Sequence, residues 1–208
     1  MSDSECNISN TNNSVNNVNT FNIVNIGNKD NTSNTTGVVA VYLCVMSKIL
    51  AFTNQKGGVG KTTSTANIGA GLARMGHKVL LVDLDPQTNL TKGLRAEPSE
   101  KNVYGALLGD YPTEPYRVAP KLGLLAGSPA ISGFEKVKGD ELDREYLLKE
   151  LLEPWREKCA YILLDCPPAL GLITLNAYVC ADALYIPLEA QLYATDGVDK
   201  VVELVGRV

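Results

Sequence analysis

Residues 52–63 read FTNQKGGVGKTT and crowd three glycines, two lysines and three threonines between an apolar run and an alanine-rich one. Gly57, Gly58 and Gly60 allow the backbone to turn so that several N–H groups converge on one point. A helix starting near Lys61 would add the positive end of its dipole there. That is the chemistry of a phosphate-binding loop: Lys61 reaches the β and γ phosphates, and the Thr62 hydroxyl holds a magnesium ion. The ordinary pattern G-x-x-x-x-G-K-[ST] would place glycine at position 55, but Gln55 stands there and Lys56 follows it. The loop is therefore a variant form with a lysine in its early part.

Three acids have the complementary placement. Asp83 and Asp85 close the apolar run KVLLVDLD (78–85), and Asp165 closes AYILLD (160–165). In a parallel sheet these strands end at one edge, so the crevice there gathers Lys61, Thr62, Asp83, Asp85 and Asp165. A carboxylate at such a strand end suits a nucleotide-bound magnesium ion, directly or through water. The five cysteines (Cys6, Cys44, Cys159, Cys166, Cys180) form no C-x-x-C pair, and the single histidine, His77, offers no metal-ligand spacing. They read as free thiols of a reducing compartment, with Cys166 a small packing residue.

The elements that must position these residues follow from periodicity. A strand over 48–54, the glycine loop, a helix over 62–76 closed by Gly76, and a strand over 78–85 make a βαβ unit. Further along, the pattern predicts a short helix over 102–109, a strand over 121–127 and an amphipathic helix over 140–157. A strand over 160–165, a helix over 170–181 and a strand over 182–189 follow, and residues 195–208 carry valines at helical spacing. This alternation predicts an α/β fold in three layers: a mostly parallel, doubly wound sheet with helices on both faces.

Composition changes near residue 46. Residues 1–36 are rich in asparagine, serine and threonine, too polar to offset the entropy of ordering, so disorder is expected. Within them TFNIVNI (20–26) has β character and is the part most apt to pair. The run GVVAVYLCVM (37–46) is too short to span a bilayer as a helix. A basic leader followed by an apolar stretch is not visible, and the chain reads as cytosolic. A net charge of −4 and a pI near 5.1 argue against a basic nucleic-acid-binding face spread over the whole molecule.

Four ordered segments, KGGVGKTT, VLLVDLDPQTNLT (79–91), YILLDCPPALGLITLNA (161–177) and IPLEAQLYATDGV (186–198), resemble the successive motifs of the ParA/Soj family of partitioning ATPases, more distantly related to MinD. The resemblance covers residues 46–208 and implies a P-loop NTPase domain that binds ATP and Mg2+. It implies that Lys56 is a signature lysine reaching the partner's phosphates across a nucleotide-sandwich homodimer. Residues Lys56, Gly57, Gly58, Val59, Gly60, Lys61, Thr62 and Thr63 would form the nucleotide site. Asp85 would orient the attacking water; Thr62 and Asp165 would serve the metal, with Asp83 beside them in support. Two ammonium groups in one short loop repel each other, which agrees with Lys56 acting away from its own nucleotide.

The resemblance further implies a ParB-like stimulating partner, nonspecific DNA binding and, with it, association with the nucleoid. Family members continue past the position of Val208 with strands and helices that carry much of the adenine pocket and the DNA-binding residues. The expectation is therefore a domain lacking its last elements, with DNA binding in doubt. MSK at 46–48 resembles a natural start, which would make residues 1–45 a fused or upstream-translated extension. Two other readings stay open: a MinD-like or cargo-positioning ATPase, and a non-catalytic remnant of the fold.

Overall fold

The computed structural model describes residues 21–24, 40–43, 47–96 and 101–187. The chain divides into two compact units, Met1–Met46 and Ser47–Val208. In the first, β1 (Phe21–Val24) pairs antiparallel with β2 (Ala40–Leu43). Most of the segment expected to be disordered, the end of the strand expected over 182–189 and the helical pattern at 195–208 lie outside the described residues.

The second unit begins with β3 (Lys48–Phe52), α1 (Lys61–Arg74), β4 (Val79–Asp83) and α2 (Asn89–Gly93). It continues through α3 (Val103–Leu108), β5 (Tyr116–Ala119) and β6 (Leu122–Leu125). A 3-10 turn at Pro129–Gly133 leads into α4 (Phe134–Lys138) and α5 (Leu147–Arg156). The last described elements are β7 (Tyr161–Asp165), α6 (Leu172–Cys180) and β8 (Ala183–Tyr185). The sheet order is β5-β6-β4-β7-β3-β8, parallel throughout except for the antiparallel edge pair β5-β6.

Both faces of this sheet are covered, which is why its central strands are apolar without a break. Successive residues of a strand point to opposite faces. Ile49, Ala51, Leu80, Val82, Ile162 and Leu164 accordingly pack with residues of α3, α5 and α6. Phe52, Val79, Leu81 and Leu163 pack on the other face with Ala73 of α1 and Leu90 of α2.

The helix expected over 140–157 starts only at Leu147. Asp143 lies in the left-handed region at φ 56°, and turn hydrogen bonds from Glu141 to Lys138 and from Tyr146 to Asp143 use the backbone groups instead. The short elements α2, α4 and β5 carry too few residues for periodicity to reveal them.

Leu163 sits fully buried at the centre of β7, between β3 and β4. Truncation there leaves a cavity that flanking strands cannot close, so Leu163→Ala is expected to cost about 2–5 kcal/mol. Urea unfolding of the variant beside wild type measures it.

Candidate functional site

The loop between β3 and α1 crosses the carboxyl edge of the sheet. Gly58 (φ 79°) and Gly60 (φ 91°) adopt left-handed backbone that residues with a Cβ rarely take. Gly60 also stands at the N-cap of α1, where no side chain accepts from the helix, so nothing competes for its first N–H groups. Gly57, Gly58, Gly60, Lys61, Thr62 and Thr63 line one wall of a cleft of about 420 Å³. The facing wall comes from Asp85 to Gln87 and Asn89, after β4, and from Pro167 to Ala169, after β7.

Strand register explains how residues so far apart in sequence meet. Asp165 is paired with Phe52 across β3-β7 and with Asp83 across β4-β7, so the three strands reach the edge at one level. The P-loop starts directly after Phe52. Leu84 N–H donates to the Asp165 carbonyl and Cys166 N–H to the Phe52 carbonyl, continuing the pairing past the strand ends.

Lys61 is only 7% exposed, and its ammonium donates to the Lys56 carbonyl at 3.3 Å. Val59 is buried beneath the loop, and Lys56 is exposed upon it. Asp85, also 7% exposed, accepts a hydrogen bond from Gln87 N–H at 2.8 Å, which closes a tight turn and aims the carboxylate into the cleft wall.

Asp83 and Asp165 are equally buried, but their surroundings differ. Asp83 Oδ2 accepts from the Thr91 hydroxyl at 2.6 Å and the Thr91 N–H at 2.9 Å, while Oδ1 accepts from Asp85 N–H at 3.3 Å. Burial pushes its carboxyl above the usual range, and the Thr91 bonds oppose that rise. Both Asp83 oxygens are thus engaged, and they hold the turn that carries Asp85. Thr91 in turn accepts from Gly127 N–H at 2.9 Å, tying β4 and α2 to the end of β6.

Asp165 has no such partners. Both carboxylate oxygens are buried without a hydrogen bond. Burial raises its carboxyl from 3.8 to about 7; the neighbouring Thr62 hydroxyl lowers it, Asp83 and Asp85 raise it, and Lys61 lowers it. A buried, unsatisfied carboxyl beside a threonine hydroxyl is a costly arrangement for a structural role and a fitting one for a hydrated divalent cation. Thr62 and Asp165 therefore fit a magnesium site. Burial also pushes the Cys166 thiol far up, in keeping with a packing residue.

Asn54 acts in a way that the sequence did not reveal. It is 2% exposed; its Oδ1 accepts from Lys56 N–H and its Nδ2 donates to the Pro187 carbonyl, each at 2.9 Å. Its neighbour Thr53 shares a 2.7 Å hydrogen bond with the Tyr178 hydroxyl of α6. Position 54 stands inside the quoted motif, but only the fold brings Pro187 to it.

A doubly wound parallel sheet with this loop at its carboxyl edge, facing acids from two neighbouring strands, defines a P-loop nucleotide-binding protein. The chain belongs to the AAA-domain family AAA_31, which matches residues 47–208, and its relatives include Soj and ParA partitioning proteins. It is 43% identical over 166 residues to the chromosome-partitioning ATPase Soj of Treponema pallidum, covering 78% of this chain and 65% of that one. It is 38% identical over 168 residues to the chromosome partitioning protein ParA of Caulobacter vibrioides, covering 77% of this chain and 63% of the relative. The chain thus spans less than two thirds of the length of these curated relatives.

Among solved structures, that of cobyrinic acid a,c-diamide synthase from Mycobacterium smegmatis, with bound ATP analog and magnesium, superposes with a TM-score of 0.72. Its identity is 38%, over 78% of this chain and 66% of that one.

The Asp165 carboxyl makes ligand-free stability depend on pH. The unfolded chain releases this proton near pH 4, whereas the folded protein holds it to about pH 7. Between those values the folded state binds the extra proton, so stability falls as pH rises through the window, by roughly 4 kcal/mol from this group. Asp165→Asn should match wild type near pH 4 and exceed it at pH 8, as compared by urea unfolding at both values. Parallel pH profiles for the two proteins would show that Asp165 is not the titrating group.

Proposed function

We propose that this chain is an ATP-binding and ATP-hydrolysing dimerisation switch of the ParA/Soj type, acting in chromosome or plasmid partitioning. The observation that carries the reading is the meeting of Lys61, Thr62 and Asp85 in the lining of one cleft, with the unsatisfied carboxyl of Asp165 buried at the strand end behind it. In this reading Lys61 exchanges the Lys56 carbonyl for phosphate oxygens, and the loop amides bind the same group. Thr62 holds the cation directly and Asp165 holds it through water. Magnesium, when bound, neutralises the charge on the β and γ oxygens.

Asp85 is fixed by its own turn at the cleft wall, where it orients the attacking water and accepts its proton. Lys56 is exposed and serves the nucleotide of a second copy, stabilising the charge that develops in phosphoryl transfer. Two copies would close on two nucleotides. A ParB-like partner would stimulate turnover, and DNA would be bound nonspecifically by the closed dimer. The setting is the cytoplasm. Residues 1–45 are a separate extension, and residues 46–208 form the ATPase domain.

The names of the partitioning relatives support the cellular role; the Treponema pallidum relative is named an ATPase, and the Mycobacterium smegmatis structure holds an ATP analog. Three variants of the 208-residue chain test the reading. Lys61→Ala should lose ATP binding in calorimetry. Lys56→Ala should keep binding but lose the ATP-dependent dimer and about a hundredfold in turnover. Asp85→Ala should accumulate the dimer while losing hydrolysis. Normal dimerisation by Lys56→Ala would remove the cross-subunit role, and absence of ATP binding by wild type would leave only a non-catalytic fold.

A further inference from the structure

Neither lysine of the loop is positioned by its own side chain alone. The peptide group before Lys56 donates its N–H to Asn54 Oδ1 at 2.9 Å, and the peptide group after it offers its carbonyl to Lys61 Nζ at 3.3 Å. A phosphate competes for the Lys61 ammonium, since a charged pair is stronger than an ammonium-to-carbonyl bond. Filling the site therefore withdraws the second tie and leaves the first unchanged. The Asn54 tie does not end at the loop, because its Nδ2 donates to the Pro187 carbonyl just past β8. Thr53 N–H donates to the Tyr185 carbonyl one step earlier, so the base of the loop is fastened to the end of β8 at two levels.

We propose that Asn54 is a positioning residue for Lys56: it holds the backbone of that lysine against the end of β8 once Lys61 has turned to phosphate. The inference rests on the cross-subunit reading of Lys56. Asn54 is not among the residues that line the cleft and, in this reading, does not touch the nucleotide. It is nearly fully buried, with both ends of its amide used, which distinguishes it from a polar residue that merely caps a turn. Releasing it leaves Lys61, the loop amides and Thr62 in place for a nucleotide. What is lost is the fixed direction of the Lys56 backbone, and with it the geometry of its reach.

The test separates nucleotide affinity from self-association in the full chain. Asn54→Ala removes both arms; Asn54→Ser keeps a short acceptor for the Lys56 N–H and loses the reach to Pro187. With magnesium and a non-hydrolysable ATP analogue, self-association followed by sedimentation should weaken about tenfold in the alanine variant and about threefold in the serine variant. Analogue affinity by calorimetry should stay within about threefold of wild type in both. Should Asn54→Ala not fold, the serine variant carries the comparison alone.

Self-association equal to wild type in the variants would overturn the proposal. So would a parallel loss of analogue affinity and association, which marks a general support of the loop. Lys56→Ala in the same assays reports on the underlying reading: if it self-associates normally, the cross-subunit role fails whatever the Asn54 variants do.

Discussion

Parallel pairing of three strands, β4, β7 and β3, is the constraint from which the rest of the site follows. Parallel strands in register end at the same edge, and here Asp83, Asp165 and Phe52 occupy one level. The loop after Phe52 and the turn after Asp83 must then face each other across the end of β7. No local preference could bring Lys61 to Asp165, over a hundred residues away in sequence. Burial of Leu163 and its neighbours on both faces holds this register, because a slip of one residue would turn every apolar side chain to the opposite face.

Charge is concentrated where the sheet ends. Three carboxyls lie at that edge, and only Asp85 has access to the cleft lining. Asp83 is satisfied by Thr91 and by the amide of Asp85, so its burial becomes a structural tie between β4, α2 and the end of β6. Asp165 has the same burial with no partner, and its raised proton affinity expresses that cost. Removing a polar group from water without a partner is unfavourable, and a ligand that supplies the partner recovers the difference. The fold is thus least satisfied at Asp165, at the carboxyl edge of the sheet.

The loop shows a related economy of contacts. Lys61 lies in its own cleft with its ammonium on the Lys56 carbonyl, a bond that a phosphate can replace. Asn54 fastens the same stretch to the end of β8, so the loop is anchored to the sheet as well as to its helix. Glycines at positions 58 and 60 supply the left-handed backbone between these anchors.

Much of the fold was legible in the residues themselves. Unbroken apolar runs marked β3, β4 and β7, because strands covered on both faces need no polar alternation. Loop glycines and the lysine pair marked the loop between β3 and α1 as a P-loop, because only a few residue types allow backbone amides to converge on phosphate. Periodicity overran the true start of α5, since the left-handed turn at Asp143 depends on local hydrogen bonds that charge and spacing do not express. The elements α2, α4 and β5 were too short to show a period.

Tertiary structure alone decided which acids are tied and which are open. Asp83, Asp85 and Asp165 all stand at strand ends in the sequence, yet Thr91 lies within reach of only one of them and Gln87 closes a turn on another. Asn54 looks like a spectator of its motif until the sheet order places Pro187 beside it. Residue type and spacing determine what chemistry a chain can perform locally. Which groups remain unsatisfied, and so available for that chemistry, depends on partners that meet only when distant strands pair.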